Sequence, residues 1–486
     1  MRPGGRVEQA DQGATTGGLW AADRRALTGG LVLTITFVAS EALAVVTVMP
    51  VVARDLGGLR LYGWVFSAFM LGTVIGIVAA GREADRRGPV VPYVAGLLLF
   101  GAGLTVAGLA PSMPVLVVGR VLQGLGAGAM PAVAYVAIGR SLPERLRAQM
   151  MAVLSTAWVA PGLAGPALSA EIARLFGWRW IFLGLLPLVG VTGSFAIPAL
   201  ARLGRPRESP AAVHRVVDGI GVAVGAGMIL AGLTLVVGKG GGLAGAGLIA
   251  AGGAVGLPVL RRLLPAGAFT ARPGLPATIL SRGLLTFAFF GADAYVTLSI
   301  TTVRHQSTVL AGVAVTGSTL AWTAGAWVQA RLSDKWEGRR LVRLGLVIIL
   351  TGVAGMILLL RHGVPIAEGL AAWTIAGLGM GLAYAPTTLM MLREAPPGRE
   401  GWASASLNLA DVLGTAMGIG IGDAAVAAAA SGGRALSGGI AISFAIAAAG
   451  ALAALAVSHR LPVGRMGLPA PADPELAPSE CRQAGR

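Results

Sequence analysis

The sequence predicts an all-α membrane protein with fourteen transmembrane helices, grouped as six, two and six. Three observations predict it. Hydrophobic residues make up 55% of the 486 positions and charged residues 12%, with a mean hydropathy of +0.75; soluble chains run near a quarter charged. Breaks of Arg, Pro and Gly divide the chain into fourteen apolar runs near the ~20 residues that a helix needs to cross hydrocarbon. Finally, the basic residues alternate between successive breaks.

Residues 1–27 read as a cytoplasmic tail, because the apolar run from Leu27 to Ala53 is too long for a cleaved signal. Residues 28–200 form the first six-helix bundle, with spans at 28–53, 61–81, 90–110, 114–139, 147–172 and 179–200. Residues 201–277 hold cytoplasmic linkers and two inserted spans, at 217–238 and 241–260. The second six-helix bundle, 278–458, has spans at 278–302, 309–331, 341–360, 367–391, 402–428 and 437–458. Residues 459–486 are Pro-rich and polar, the composition of a disordered tail. The N-terminal tail and every second break hold 28 of the 38 Lys and Arg, against eight in the opposite breaks. Cytoplasmic loops carry that excess, so both termini are expected in the cytoplasm. Arg120 and Arg282 fall inside spans.

The net charge of +16 does not indicate nucleic acid, since the basic residues are scattered through short breaks rather than gathered on one face. One cysteine, Cys481, allows no internal disulfide. Neither a phosphate-binding loop G-x-x-x-x-G-K-[ST] nor a His-rich metal site appears. The reading therefore calls for no cofactor and no metal, and sets a membrane enzyme or sensor aside.

The breaks after the second and the tenth spans look alike. Gly81, Asp85, Arg86 and Gly88 in the first answer Asp334, Arg339 and Arg340 in the second. An Asp at a helix end among arginines can clamp the two halves together on the cytoplasmic side. The fourth span holds Arg120-Val-Leu-Gln123-Gly124, and the fifth holds Gly165-Pro166. An arginine inside a span has to face the bundle interior and find a partner; Gly-Pro gives a bend and a close contact. With these motifs, residues 28–458 resemble the major facilitator superfamily, specifically its fourteen-helix drug:proton antiporter branch. The G-x-x-x-D-x-x-G loop is similar to Gly81, Asp85 and Gly88, and R-x-x-Q-G to Arg120, Gln123 and Gly124. The branch signature ending in G-P-x-x-G-G is matched at Gly165-Pro166, with Ser169-Ala170 in place of the final glycines. The resemblance implies two bundles that rock about a midplane site in a bacterial cytoplasmic membrane.

Carboxylates inside spans mark the chemistry. Hydrocarbon penalises ionised groups, so Glu41, Asp293 and Asp411 are expected to face a shielded passage where protons and cationic substrates exchange. Each also has a plainer role, neutralising Arg120 or hydrogen-bonding a neighbouring helix. Trp158, Phe290, Tyr295, Trp322 and Tyr384 are candidate cavity aromatics, able to hold a cation face-on, and Asn408 a candidate polar contact. The function expected is proton-coupled efflux of lipophilic, cationic drugs by a monomer working in the lipid bilayer. Export of one metabolite, lipid or self-made antibiotic, proton symport, and sodium as coupling ion stay open alternatives.

Overall fold

A computed structural model describes residues 18–57, 62–204, 216–237, 241–431 and 436–464; both expected tails lie largely outside the described residues. The first half contains α1 (Arg25–Asp55), α2 (Tyr62–Arg87), α3 (Val90–Gly108) and α4 (Met113–Ser141). It continues with α5 (Glu144–Thr156), α6 (Val159–Phe176), α7 (Arg179–Leu183) and α8 (Leu186–Ala201). Two further helices follow, α9 (Val216–Val237) and α10 (Gly242–Leu263). The second half contains α11 (Leu275–Leu298), α12 (Thr308–Leu332), α13 (Gly338–Leu359), α14 (Ile366–Glu394), α15 (Glu400–Ser431) and α16 (Leu436–Val457).

Among the described residues, twelve helices are long and apolar enough to cross a bilayer, or thirteen if the bent pair is one span. That pair is formed by 144–165 and 168–176, which meet at 47°. The bend falls at Pro166, which has no N–H to give the helix. The expected span 309–331 is the 25-residue α12, whose interior carries Thr316, Ser318, Thr319, Thr323 and Gln329 among apolar residues. Thr323 donates to the Ser155 carbonyl of α5 at 3.4 Å. The architecture is compatible with fourteen spans.

Both halves use the same device to bring helices together. A Cβ added at Gly124 of α4 would lie 2.1 Å from the Phe69 carbonyl oxygen of α2. In the second half, a Cβ at Gly381 of α14 would lie 2.1 Å from the Trp322 oxygen of α12. Only glycine lets backbones approach this closely, and close packing replaces the hydrophobic effect as the force between helices in lipid. Gly124 is thus a packing residue.

We call the end where α2 meets α3 the basic end. The inserted pair lies against the seam between α2 and α15. Val74, Ile77 and Val78 of α2, Val222 of α9, Leu263 of α10 and Leu409 of α15 share one apolar cluster. The Leu263 carbonyl accepts hydrogen bonds from the Trp402 indole (2.9 Å) and the Ser406 hydroxyl (3.2 Å), fixing α10 to the first turns of α15.

Candidate functional site

Three polar clusters interrupt the apolar interior. The first is in the first half. Glu41 of α1, with no exposed surface, forms an ion pair with Arg120 of α4, itself 3% exposed. Arg120 also donates to the Gln123 side chain (2.6 Å) and the Val65 carbonyl (3.2 Å), and lies 4.2 Å from the centre of the Phe69 ring. The Nε and Nη1 groups and one face of the guanidinium are therefore occupied. In this conformation Glu41 balances the Arg120 charge.

The second cluster closes the basic end. Asp85, near the end of α2, accepts from the backbone N–H groups of Gly401 (2.7 Å) and Trp402 (2.8 Å) in the first turn of α15. A helix N-terminus has unsatisfied N–H groups and partial positive charge, so a carboxylate from the other half is well placed there. The close approach depends on Gly81, where a Cβ would meet the Ala405 methyl at 2.5 Å. Gly88 holds a φ of +84°, the left-handed conformation that ends a helix at little cost only for glycine. Two ion pairs flank the contact, Arg140–Glu400 at 3.0 Å and Arg393–Glu144 at 3.8 Å.

The arginines expected to clamp here do something else. Arg86 turns to Glu83 on its own helix at 3.6 Å. In the second copy of the loop, Asp334 is exposed. Arg340 faces Glu337 at 3.9 Å, and Arg339 donates to the His459 carbonyl at 3.2 Å. All of these partners belong to the same half. The reason is helix length: α2 runs through Asp85 and fixes its position, whereas α12 stops at Leu332, two residues before Asp334. Asp85→Ala is expected to lose the cross-half cap, about 1–2 kcal/mol. With Cys481 replaced by Ser, a Ser404→Cys probe at the buried seam should then react roughly 5–30-fold faster with a soluble maleimide; an unchanged rate would contradict the role given to Asp85.

The third cluster lies between α11, α12, α14 and α15. Asp293, half-buried, accepts a hydrogen bond from the Trp373 indole at 3.0 Å. Trp373 stacks on Phe289 with ring centres 5.2 Å apart; Phe289 meets Trp322 edge-on at 5.6 Å, and Trp322 meets Tyr384 at 5.3 Å. Phe290 leans on both Phe289 and Trp322. The row ends where Tyr384 donates to Asp411 (2.8 Å), whose other oxygen is 3.3 Å from Arg282. Arg282 is fully buried, lies 3.1 Å from the centre of the Tyr384 ring, and donates to the Tyr384 carbonyl and the Thr387 hydroxyl. Tyr135 of α4 stands beside Tyr384, so the first half touches this cluster too. Depth follows from helix rise. Asp293 precedes by eleven residues Arg304, which bonds the Leu359 and Val364 carbonyls at the far end. Asp411 follows Glu400 at the basic end by eleven. Each acid is thus about 16 Å inside its end of the bundle.

Phe290, Trp322 and Tyr384 are accordingly brought together with Asp293 and Asp411. Tyr295 is elsewhere: it is 3% exposed and donates to Asp423 at 2.7 Å. Trp158 sits 39% exposed at the break between α5 and α6, and Asn408 turns its amide back to the Ser404 carbonyl. Gly165 approaches α1 at Leu43. Arg282, Phe289, Trp373 and Tyr135 were not singled out from the sequence. Arg282 carried the same signal as Arg120, a cation inside a span. At the far end and outside the membrane span, the Trp178 indole (2.7 Å) and then Arg179 hold the Asp55 carboxyl below its ordinary pKa.

Comparison with known proteins agrees with this architecture. The sequence profile of the Major Facilitator Superfamily matches residues 30–419. A probable multidrug-efflux transporter of Mycobacterium tuberculosis is 28% identical over 420 residues, 84% of this chain and 88% of the relative. A multidrug transporter protein of Bacillus subtilis is 31% identical over 197 residues, 40% of this chain and 36% of the relative. Among solved structures, the human organic anion transporter MFSD10 superposes with a TM-score of 0.66 at 14% identity, covering 89% of this chain and 99% of that one. The proton:xylose symporter XylE gives 0.64 at 13%, covering 91% and 96%. This multi-pass membrane protein belongs to the major facilitator superfamily of transporters of small molecules.

Proposed function

We propose that this chain is a proton-driven exporter of lipophilic organic cations in a bacterial cytoplasmic membrane, with both termini in the cytoplasm. In this reading Asp293 is the acid at which proton and substrate exchange. The observation that carries it is the setting of Asp293: an indole donor and a row of aromatic faces, with no cation bonded to it among the described residues. Glu41 and Asp411 already have arginines. An acid without a cation in a low-dielectric interior leaves a place for a positive charge, which a proton or a substrate can fill in turn. The partly exposed rings of Phe290, Trp322 and Tyr384 offer a cation's apolar remainder a surface and its charge a negative face, with Phe289 and Trp373 packed behind them. Relatives named a probable multidrug-efflux transporter and a multidrug transporter protein support a drug-like substrate.

The two six-helix halves rock about this region. The bonds through Asp85, Glu400 and Glu144 hold the basic end shut, the end that faces the cytoplasm in this reading. The substrate cation enters from the cytoplasm and pairs with Asp293. Closure of the basic end turns the site outward, where a proton displaces the cation. The protonated site returns and releases its proton inside.

In proteoliposomes, a one-unit pH gradient should drive ethidium movement that Asp293→Asn lowers at least about tenfold. Equal gradient-driven movement in the variant and the wild type would remove the assignment.

A further inference from the structure

Among the described residues, two of the three acids deep inside the spans are paired with arginines and the third is not. Glu41 faces Arg120, and Asp411 faces Arg282. Asp293 faces only the Trp373 indole. One more acid, Asp423, lies on α15 about 18 Å from Asp411 towards the far end. It is exposed and accepts from Tyr295, away from the row of rings.

The two ends of that row differ in sign. At one end Trp373 carries Asp293. At the other, the Arg282 guanidinium covers the Tyr384 ring and occupies the Asp411 carboxylate. A substrate lying along the partly exposed Phe290, Trp322 and Tyr384 thus finds Asp293 for its first positive charge and the fixed Arg282 cation where a second would lie. We propose that the site holds one positive charge at a time: its substrates are monocations, each exchanged for a single proton with no net movement of charge. This rests on Asp293 being the exchanging acid, as argued above. The mechanism balances: a proton bound to Asp293 from outside is released inside, and the cation that it replaced on the carboxylate leaves outside. A second unpaired charge in hydrocarbon is disfavoured about 100-fold, so neither a dication nor a second proton is accommodated.

Ethidium and propidium share one ring system and carry one and two positive charges, so they isolate charge from shape. Wild-type protein in liposomes should accumulate ethidium about tenfold on a one-unit pH gradient. At equal pH, a 100 mV potassium diffusion potential should add nothing beyond protein-free vesicles, and propidium should move at least about tenfold more slowly. Exchange of two protons per ethidium would instead give up to about 50-fold accumulation from that potential. Such potential-driven accumulation, or propidium moving as fast as ethidium, overturns the proposal while leaving Asp293 as the exchanging acid. Failure of the pH gradient to move ethidium, or an Asp293→Asn variant that moves it normally, removes the underlying reading and this inference with it. Asp423→Asn should behave as wild type; loss of gradient-driven transport in it would overturn the one-acid account.

Discussion

Glu41→Gln is expected to destabilise the protein by about 3–5 kcal/mol, because it leaves Arg120 charged in a site with almost no access to water. Arg120 keeps neutral partners in Gln123, Val65 and the Phe69 ring, but none of them carries a negative charge. Its cost is therefore the cost of an uncompensated charge rather than of one missing hydrogen bond. No other carboxylate among the described residues pairs with Arg120 to take over the role of Glu41. The double variant Glu41→Gln, Arg120→Gln should recover most of the lost stability, since it removes both charges. Thermal unfolding of the purified variants in detergent reads the difference. A Glu41→Gln protein as stable as wild type would show that the pair does not hold the first half together.

Asp411→Asn should act in two ways at once. It uncovers the Arg282 charge, which costs the fold roughly 3–5 kcal/mol, less whatever Tyr384 and Thr387 retain. It also places a free positive charge beside the aromatic row, so gradient-driven ethidium transport should fall at least about tenfold even in protein that remains folded. Asp293→Asn should lower transport without a matching loss of stability, because no arginine depends on it. Unfolding curves and transport rates measured on the same preparations separate the two acids. Equal stability loss in both variants would mean that Asp293 is structural as well.

Much of the architecture was legible because it rests on composition and on backbone rules. Apolar runs, alternating arginines and the bend at Gly165-Pro166 follow from the cost of charge and unpaired backbone in hydrocarbon. The positions of Gly88 and Gly124 follow from what a Cβ would strike or strain. Pairing was not legible. In a soluble helix, a polar face and an apolar face tell which way each residue points; here every face is apolar, so Glu41 and Asp293 looked alike until Arg120 and Trp373 were seen beside them. The aromatic row needed four helices at a common depth, and Phe289 and Trp373 are unremarkable in sequence. Asp334 resembled Asp85 by position in a repeat, yet the shorter α12 leaves it on the surface. Arg282 could have been read from the sequence by the rule that identified Arg120, since Asp411 was already in view as an acid needing a partner.

The central claim is that a proton and a substrate cation compete for Asp293. Binding of the two is then linked, and reciprocally so. Ethidium affinity of the detergent-solubilised protein, followed by ring fluorescence across a pH series, measures that linkage without vesicles or gradients. In wild type the affinity should weaken on acidification, approaching about tenfold per pH unit once Asp293 is protonated, and in Asp293→Asn it should be flat. The same pH dependence in both proteins would contradict the account.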